Sequence, residues 1–255
     1  TGGDKDKVKL SHLLTHSSGI SGYVRYFDMP SIANEQDILN DIINRDLKFE
    51  PGSKFEYSDL GFILLKNIIE KTNRSNFESL VSRWVLNPLK MRNTYYNPSS
   101  SQIENIVPTE NDKNFRKRLL KGEVHDENTY IMNGVSSHAG LFSNAWDMAI
   151  FAKLFLNKGV WLGKRHLGYS TVKKFLKKQN KPYGSDMALG WDTPSLSNSS
   201  AGDYFSNGSF GHLGFTGTSL WVDPQEEIII VMLTNRVYPF RKDRGIKKVR
   251  RDFHN

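Results

Sequence analysis

The hydrophobic positions of the chain change their spacing about two thirds of the way along. Before residue 180, apolar residues recur three and four positions apart, which is typical of amphipathic helices. This spacing predicts helices over residues 8–15, 34–47, 59–73, 76–87, 144–158 and 170–178. After residue 188, β-branched and aromatic residues alternate with polar ones, which predicts antiparallel strands over 188–193, 204–210, 218–223 and 227–235. A closing helix is predicted over 241–253.

Capping residues set the predicted ends of these helices. Asn34 and Asp59 are predicted to cap the second and third helices, and the fourth is predicted to end before Pro88. Ser170 is interpreted as the cap of the helix over 170–178. Asp223 and Pro224 mark the turn of a predicted hairpin between the last two strands.

Helices first and strands last is the pattern of an α+β protein with helices packed on an antiparallel sheet. The chain has 255 residues, of which 38% are hydrophobic, and this is enough to build a substantial core. We expect one domain over 1–255, with a mostly helical region over 11–180 and a sheet region with the closing helix over 188–255.

A glycine-rich segment, 211–217, leads into the predicted strand over 218–223. Its glycines at positions 211, 214 and 217 allow another group to approach the backbone closely. We interpret this segment as a strand edge against which a ligand lies, although a strand entry without function would look the same.

Composition excludes several functions. The chain has no cysteine, so disulfides and thiolate metal sites are absent, and it has no apolar run long enough to span a membrane. The net charge of +8 is concentrated in residues 241–255, which carry +5. We interpret this tail as a solvated helix face, and we expect no nucleic-acid partner because no such motif accompanies it. The first residue is Thr1, so we expect a fragment or a processed product.

Two side chains stand out as candidates for chemistry when they are considered together. Tyr57 lies just before the strongest predicted helix, and His212 lies in the glycine-rich segment. A phenol acts as a general base or acid only if a cation or a neighbouring donor lowers its pKa. Backbone N–H groups of a glycine-rich strand edge can stabilise an oxyanion.

Three segments resemble the serine β-lactamase and penicillin-binding protein family. They are residues 13–19 (LLTHSSG), 50–59 (EPGSKFEYSD) and 211–214 (GHLG). Their order and spacing resemble those of the motifs in the branch that contains class C β-lactamases, D-amino-acid peptidases and esterases. The resemblance implies a β-lactamase/transpeptidase-like fold and hydrolysis through an acyl-enzyme.

The resemblance also assigns catalytic positions. Tyr57 and Asp59 would occupy the family's Tyr-x-Asn element, with aspartate in place of asparagine. His212, with Gly214, would occupy the Lys-Thr-Gly element, and the backbone N–H of Phe215 would form one half of the oxyanion hole. Asp59 and His212 fit esterases and peptidases better than an efficient β-lactamase, because the imidazole of His212 replaces the lysine ammonium of the Lys-Thr-Gly element at the strand edge.

Segments 122–128 and 138–143 resemble the branch that acts in cell-wall recycling, some of whose members are amidases on muramyl peptides. We therefore expect His125, Asp126, His138 and Thr216 to bind substrate, with the histidines at the rim of the cleft. A metal site at His125 and His138 is disfavoured because their spacing matches no standard ligand pattern. No cofactor is expected.

The remaining histidines are given no catalytic role. His16 lies in a Thr-His-Ser-Ser-Gly turn and is interpreted as structural rather than catalytic. His12, His166 and His254 have no context that distinguishes them from surface residues.

The family's nucleophile lies in a Ser-x-x-Lys motif upstream of the Leu-Leu-Thr-His segment. The literal match at Ser170–Lys173 is rejected because it falls between the other motifs and its helix is rich in lysine. The resemblance thus implies that the N-terminal strands and the nucleophile helix lie in an upstream segment, fused or cleaved. The implied substrate is a peptidoglycan-derived peptide or a β-lactam, and the implied location is periplasmic or extracytoplasmic. A non-catalytic module that binds or senses cell-wall peptides is the alternative.

Overall fold

The computed structural model describes residues 4–241 and 245–255. Ten α-helices are assigned in this part of the chain, with a π-helical turn (Ser82–Leu86) between the fourth and the fifth. They are α1 (Leu10–Leu14), α2 (Glu35–Asn44), α3 (Asp59–Asn73), α4 (Phe77–Val81), α5 (Asn87–Leu89), α6 (Ser100–Ile103), α7 (Glu127–Ile131), α8 (Ala145–Leu156), α9 (Tyr169–Leu176) and α10 (Ile246–His254). Short 3-10 helices occur at Asp4–Lys7 and Tyr26–Asp28.

The strands form one three-stranded antiparallel sheet and two small hairpins. The hairpins pair β1 (Glu110–Asp112) with β2 (Arg118–Leu120), and β3 (Val160–Trp161) with β4 (Lys164–Arg165). The sheet contains β5 (Phe210–Leu213), β6 (Ser219–Asp223) and β7 (Ile228–Met232), in that order. The predicted α+β class and the predicted final hairpin are confirmed, because Ser219 lies opposite Met232 and Asp223 opposite Ile228.

Two of the four predicted strands are wrong. Residues 188–193 contribute only isolated bridges, in which Asp192 pairs with Met187 and with Gly211. The segment over 204–209 forms turns, and the strand begins only at Phe210. Ser206 donates its N–H and its hydroxyl to the Asp223 carboxylate at 2.7 and 2.6 Å. Side-chain bonds therefore replace a strand ladder in this segment.

The observed helix ends correct three predicted ones. Ser58 rather than Asp59 caps α3, because its hydroxyl accepts the N–H of Gly61 at 3.0 Å. The helical stretch continues past Pro88, which lies within α5, the helix that directly follows the π-helical turn Ser82–Leu86. Ser170 lies inside α9, whose cap residue is Gly168. The predicted Asn34 cap is confirmed, with its side chain accepting two backbone N–H groups.

Two hydrophobic clusters join the main elements of the fold. One packs α1, α2 and α3 together through residues such as Leu13, Ile38 and Ile63. The other packs α8 against the sheet through residues such as Phe210 and Val222. A backbone hydrogen bond from Gly190 to Leu14, 3.0 Å long, links the two. No helix among the described residues is long and apolar enough to cross a membrane.

The closing helix is shorter than predicted and more deeply packed. It starts at Ile246, and positions 242–244 of the predicted helix lie outside the described residues. The surface interpretation of His254 is wrong, because its side chain is buried and its Nε2 lies 2.9 Å from the Ser219 hydroxyl. Arg250 is buried as well, so the interpretation of the basic tail as a solvated face fails on this side of α10.

Acid should destabilise the protein through His254. Burial, with the nearby Arg250, lowers the pKa of His254 to about 4. The unfolded chain therefore binds a proton from about pH 6.5 downward, while the folded chain resists it until about pH 4. We expect the free energy of unfolding to fall by about 1–2 kcal/mol more between about pH 7 and pH 5 in the native chain than in the His254→Gln variant. Urea unfolding at both pH values measures this, and equal losses in the two proteins would contradict it.

Candidate active site

Tyr57 is held where the loop before α3 meets the helix. Its ring stacks on the imidazole of His16, with a centroid distance of 4.0 Å and an interplanar angle of 28°. The Nδ1 atom of His16 accepts the N–H of Ser58 at 2.9 Å. Because Ser58 also caps α3, the start of this helix and the Tyr57 ring are fixed by the same small set of contacts.

His16 is a buried, neutral support for the phenol. The other face of its imidazole stacks on Phe62 at 5.1 Å, and its Nε2 is buried without a hydrogen-bond partner among the described residues. Burial and the proximity of His212 lower the pKa of His16 to about 4. The ring is therefore uncharged near neutral pH, and these contacts fit the structural role expected from the sequence.

The structure brings Tyr57 and His212 together. Their ring centroids are 6.3 Å apart, although the residues lie on different elements, the α3 entry and β5. The Nδ1–H of His212 donates to the carbonyl of Leu213 at 2.9 Å. In the neutral imidazole, this arrangement leaves Nε2 as a free acceptor.

Asp192, which was not predicted from the sequence, belongs to the same group of side chains. Its backbone pairs with Gly211, the neighbour of His212. Partial burial, with the charges of Asp59 and Asp192, raises the pKa of the Tyr57 phenol. Burial also raises the pKa of Asp192, with His212 opposing this effect. The Tyr57 phenol is therefore protonated near neutral pH in this chain. The only signal in the sequence was a lone carboxylate inside a predicted strand.

A tight turn, Gly214–Thr218, connects β5 to β6. A Cβ at Gly214 would lie 2.1 Å from the Thr218 hydroxyl oxygen and would force that side chain to move, and Gly217 has a φ of +119°. At Gly211, a Cβ would lie 2.4 Å from the Leu220 carbonyl. The glycine-rich segment therefore accommodates close contacts within the protein's own sheet, which corrects the interpretation that its glycines leave room for a ligand.

Phe215 lies in this turn with its side chain exposed. Its ring stacks against His125 at 5.9 Å, and the Arg236 guanidinium lies 4.4 Å from its centroid. Its backbone N–H has no hydrogen-bond partner among the described residues, nor has that of Thr216. A free N–H at this point can donate to an oxyanion.

His125 is fixed by an ionic network rather than exposed at a rim. Its Nε2 lies 2.7 Å from a Glu110 carboxylate oxygen, which also accepts Arg241 Nε at 2.7 Å. Arg241 further donates to Glu127 at 2.6 Å. Burial and the Arg241 charge lower the pKa of His125, with Glu110 opposing them. His125 meets the candidate site through its contact with Phe215, and its role in substrate binding stays a prediction.

His138 and Asp126 form a buried pair near the start of α3. His138 Nε2 lies 3.2 Å from the Asp126 carboxylate, and its side chain is only 7% exposed. Burial lowers the pKa of His138, but Asp126 and Asp59 outweigh it and leave this pKa raised. Burial raises the pKa of Asp126, but the hydrogen bond and the charge of His138 outweigh burial and lower this pKa to about 2. This position beneath the surface corrects the rim expected for His138.

Asp59 completes this group at the first position of α3. Burial and Asp126 raise its pKa, while His138 opposes them. Among the described residues, no cluster of His, Asp and Glu has the arrangement of a metal site. A cavity of about 350 Å³ lies elsewhere, between Pro88 and His166, and contains none of the predicted site residues.

The β-lactamase family model matches residues 1–254 of the chain. The chain is 34% identical, over 91% of its length, to an N-acetylmuramyl-L-alanine amidase from Bacillus subtilis (strain 168), and 32% identical, again over 91%, to a putative D-alanyl-D-alanine carboxypeptidase from Escherichia coli (strain K12). It covers 57% and 58% of these two relatives, so it spans little more than half of their length.

A solved structure supports the same fold. A penicillin-binding protein homologue from Caulobacter crescentus superposes with a TM-score of 0.69 at 15% identity, over 91% of this chain and 66% of that one. Identity this low shows the fold alone. With the family match over nearly all of its residues, the chain belongs to the β-lactamase family.

Proposed function

We propose that this chain provides the phenol and oxyanion side of a serine hydrolase that cleaves an amide or ester of a peptidoglycan-derived peptide through an acyl-enzyme. One observation carries the proposal: the Tyr57 ring lies 6.3 Å from His212, and the strand of His212 leads into the turn where the Phe215 N–H has no acceptor among the described residues. A proton acceptor and an oxyanion donor in one place are what acyl transfer requires.

Tyr57 acts as the general base toward a serine nucleophile. Its pKa is raised in the chain as described, so this role needs a cation close to the phenol. We assign that cation and the nucleophile to a Ser-x-x-Lys motif outside these 255 residues. The literal match does not fit the role, because Ser170 is exposed on α9 and has no described contact with Tyr57 or His212.

Phe215 supplies its N–H to the tetrahedral intermediate, and Asp59 and His212 position the substrate beside it. Each oxyanion donor contributes about 10²–10³ to the rate in enzymes of this kind. His125, Asp126, His138 and Thr216 are proposed to shape the substrate side of the cleft. Asp126 and His138 act from beneath the surface, through their charges near Asp59.

The substrate class follows from the relatives. Two curated relatives above 30% identity are named as an N-acetylmuramyl-L-alanine amidase and a putative D-alanyl-D-alanine carboxypeptidase. Both names describe bonds in peptidoglycan, so we propose a cell-wall peptide as the substrate and an extracytoplasmic location. A β-lactam is the related acylating agent.

A binding module without catalysis is the second candidate. One observation favours it: burial, with the carboxylates of Asp59 and Asp192, raises the pKa of the Tyr57 phenol and keeps it protonated. In that state the phenol donates a hydrogen bond to a bound peptide instead of accepting a proton.

We expect the 255-residue chain alone to remain unlabelled by a fluorescent penicillin, because groups that act as a catalytic unit are ineffective without their nucleophile. The measurement is in-gel fluorescence with intact mass spectrometry. Stoichiometric labelling that maps to Ser170 would overturn the rejection of that serine.

A version of the protein extended upstream of Thr1, so that it includes a Ser-x-x-Lys motif, should be labelled. Replacing Tyr57 by phenylalanine in that version should lower the acylation rate by about 10²–10⁴, because general base catalysis is lost. Tyr183→Phe is the matched control, since Tyr183 is almost fully exposed and belongs to no proposed site. Stopped-flow labelling gives the rates. Equal rates for Tyr57→Phe and the control would refute the base role, and peptide binding without acylation would favour the second candidate.

A further inference from the structure

Arg250, on α10, is a buried cation without an acidic partner among the described residues. Its side chain is 6% exposed, and its Nε is buried with no described hydrogen-bond partner. The guanidinium donates through one nitrogen to two carbonyls, that of Gly214 at 2.6 Å and that of Thr218 at 2.7 Å. Removing a guanidinium from water without a carboxylate is costly, so the position of Arg250 calls for a physical explanation.

The surroundings increase this cost. Burial and the nearby charge of Arg236 lower the pKa of Arg250. A second cation close by is the opposite of what a purely structural charge needs. Only the carbonyl dipoles of the Gly214–Thr218 turn are described as its hydrogen-bond acceptors. The charge therefore acts mainly on the backbone of this turn.

Peptide geometry transmits the effect to one N–H. The bond between Gly214 and Phe215 is trans, so its C=O and its N–H point in opposite directions. The Gly214 carbonyl accepts from both Arg250 and the Gly217 N–H, the latter at 3.1 Å. The Phe215 N–H therefore points away from Arg250, on the side where no described residue accepts it.

We propose that Arg250 is a positioning residue that aims and polarises the Gly214–Phe215 peptide, so that the Phe215 N–H becomes a strong donor to an oxyanion. A cation on the carbonyl withdraws electron density from the amide and makes its proton more acidic, because hydrogen bonds in a chain strengthen one another. The use of this donor in catalysis rests on the proposed function. The effect on the peptide itself does not.

Arg236 offers a matched control within the same turn. Its Nε donates to the carbonyl of Phe215 at 2.6 Å, which belongs to the next peptide along the chain. The same geometry would make Arg236 act on the N–H of Thr216 rather than that of Phe215. Both arginines bond carbonyls of the turn, but of the two only Arg250 bonds the Gly214 carbonyl.

Amide hydrogen exchange of the 255-residue chain tests the proposal. Base-catalysed exchange of an exposed N–H rises with its acidity, so we expect Phe215 to exchange roughly tenfold faster than its rate in an unstructured peptide, about one pKa unit of amide acidity. In Arg250→Gln, Phe215 should slow by roughly the same factor, while in Arg236→Gln it should keep its native rate and Thr216 should slow. NMR exchange spectroscopy resolves each amide.

The outcomes separate polarisation from mere support. A loss of support would accelerate exchange at Gly217, whose N–H is bonded to the Gly214 carbonyl, and would leave Phe215 no slower. That result would overturn the proposal. If Arg250→Gln does not fold, the native chain decides the matter, because a Phe215 rate at or below that of the free peptide contradicts it. No nucleophile or substrate takes part, so a failure here leaves the proposed hydrolase intact, and the absence of acylation in the extended protein leaves this result intact.

Discussion

The constraint on which the candidate site depends is the hydrogen bonding of the Gly214–Thr218 turn. Every carbonyl in the turn accepts a hydrogen bond from another group of the protein. The donors belong to Gly214, Gly217, Thr234, Arg236 and Arg250. The N–H groups of Phe215 and Thr216 have no described partner. A turn whose carbonyls all accept hydrogen bonds, and in which two neighbouring N–H groups have no described acceptor, is suited to bind an anion.

Charges of opposite sign lie on the two sides of the site. Arg236 and Arg250 contact the turn, whereas Asp59 and Asp192 act on the Tyr57 phenol. Cations beside the turn favour an anion at its free N–H groups, while burial, together with the two carboxylates, keeps the proton on the phenol. The cationic and the acidic groups thus lie in separate regions, although the rings of Tyr57 and His212 are only 6.3 Å apart.

Local signals made much of the fold predictable. The Asn34 cap, the long helix α3 and the final hairpin each depend on residues close in sequence, and the structure contains all three. The predicted strand over 204–210 failed because Ser206 bonds Asp223, a residue 17 positions away. The strand propensities of residues 204–210 cannot predict a hydrogen bond to a residue so far along the chain.

The same distinction explains what the sequence revealed of the site. Tyr57 and His212 were found because they lie in recognisable segments, and the structure places their rings side by side. Arg250 was not found, because its carbonyl partners lie 32 and 36 residues away and because Lys247 and Lys248, close to it in sequence, are exposed. The roles of the predicted site residues stay predictions, since geometry brings groups together without showing a reaction.

Position 16 carries two demands that few amino acids satisfy together. His16 has a φ of 54°, a left-handed conformation that favours glycine or asparagine. Its ring must also stack on Tyr57, and its Nδ1 must accept the Ser58 N–H, which neither of those residues can do in full. Substitutions that relax the backbone remove the stack, and aromatic substitutions that keep the stack lose the acceptor. Backbone conformation and side-chain chemistry therefore limit sequence change at the same position, and an engineer varying the residues around Tyr57 would leave position 16 unchanged.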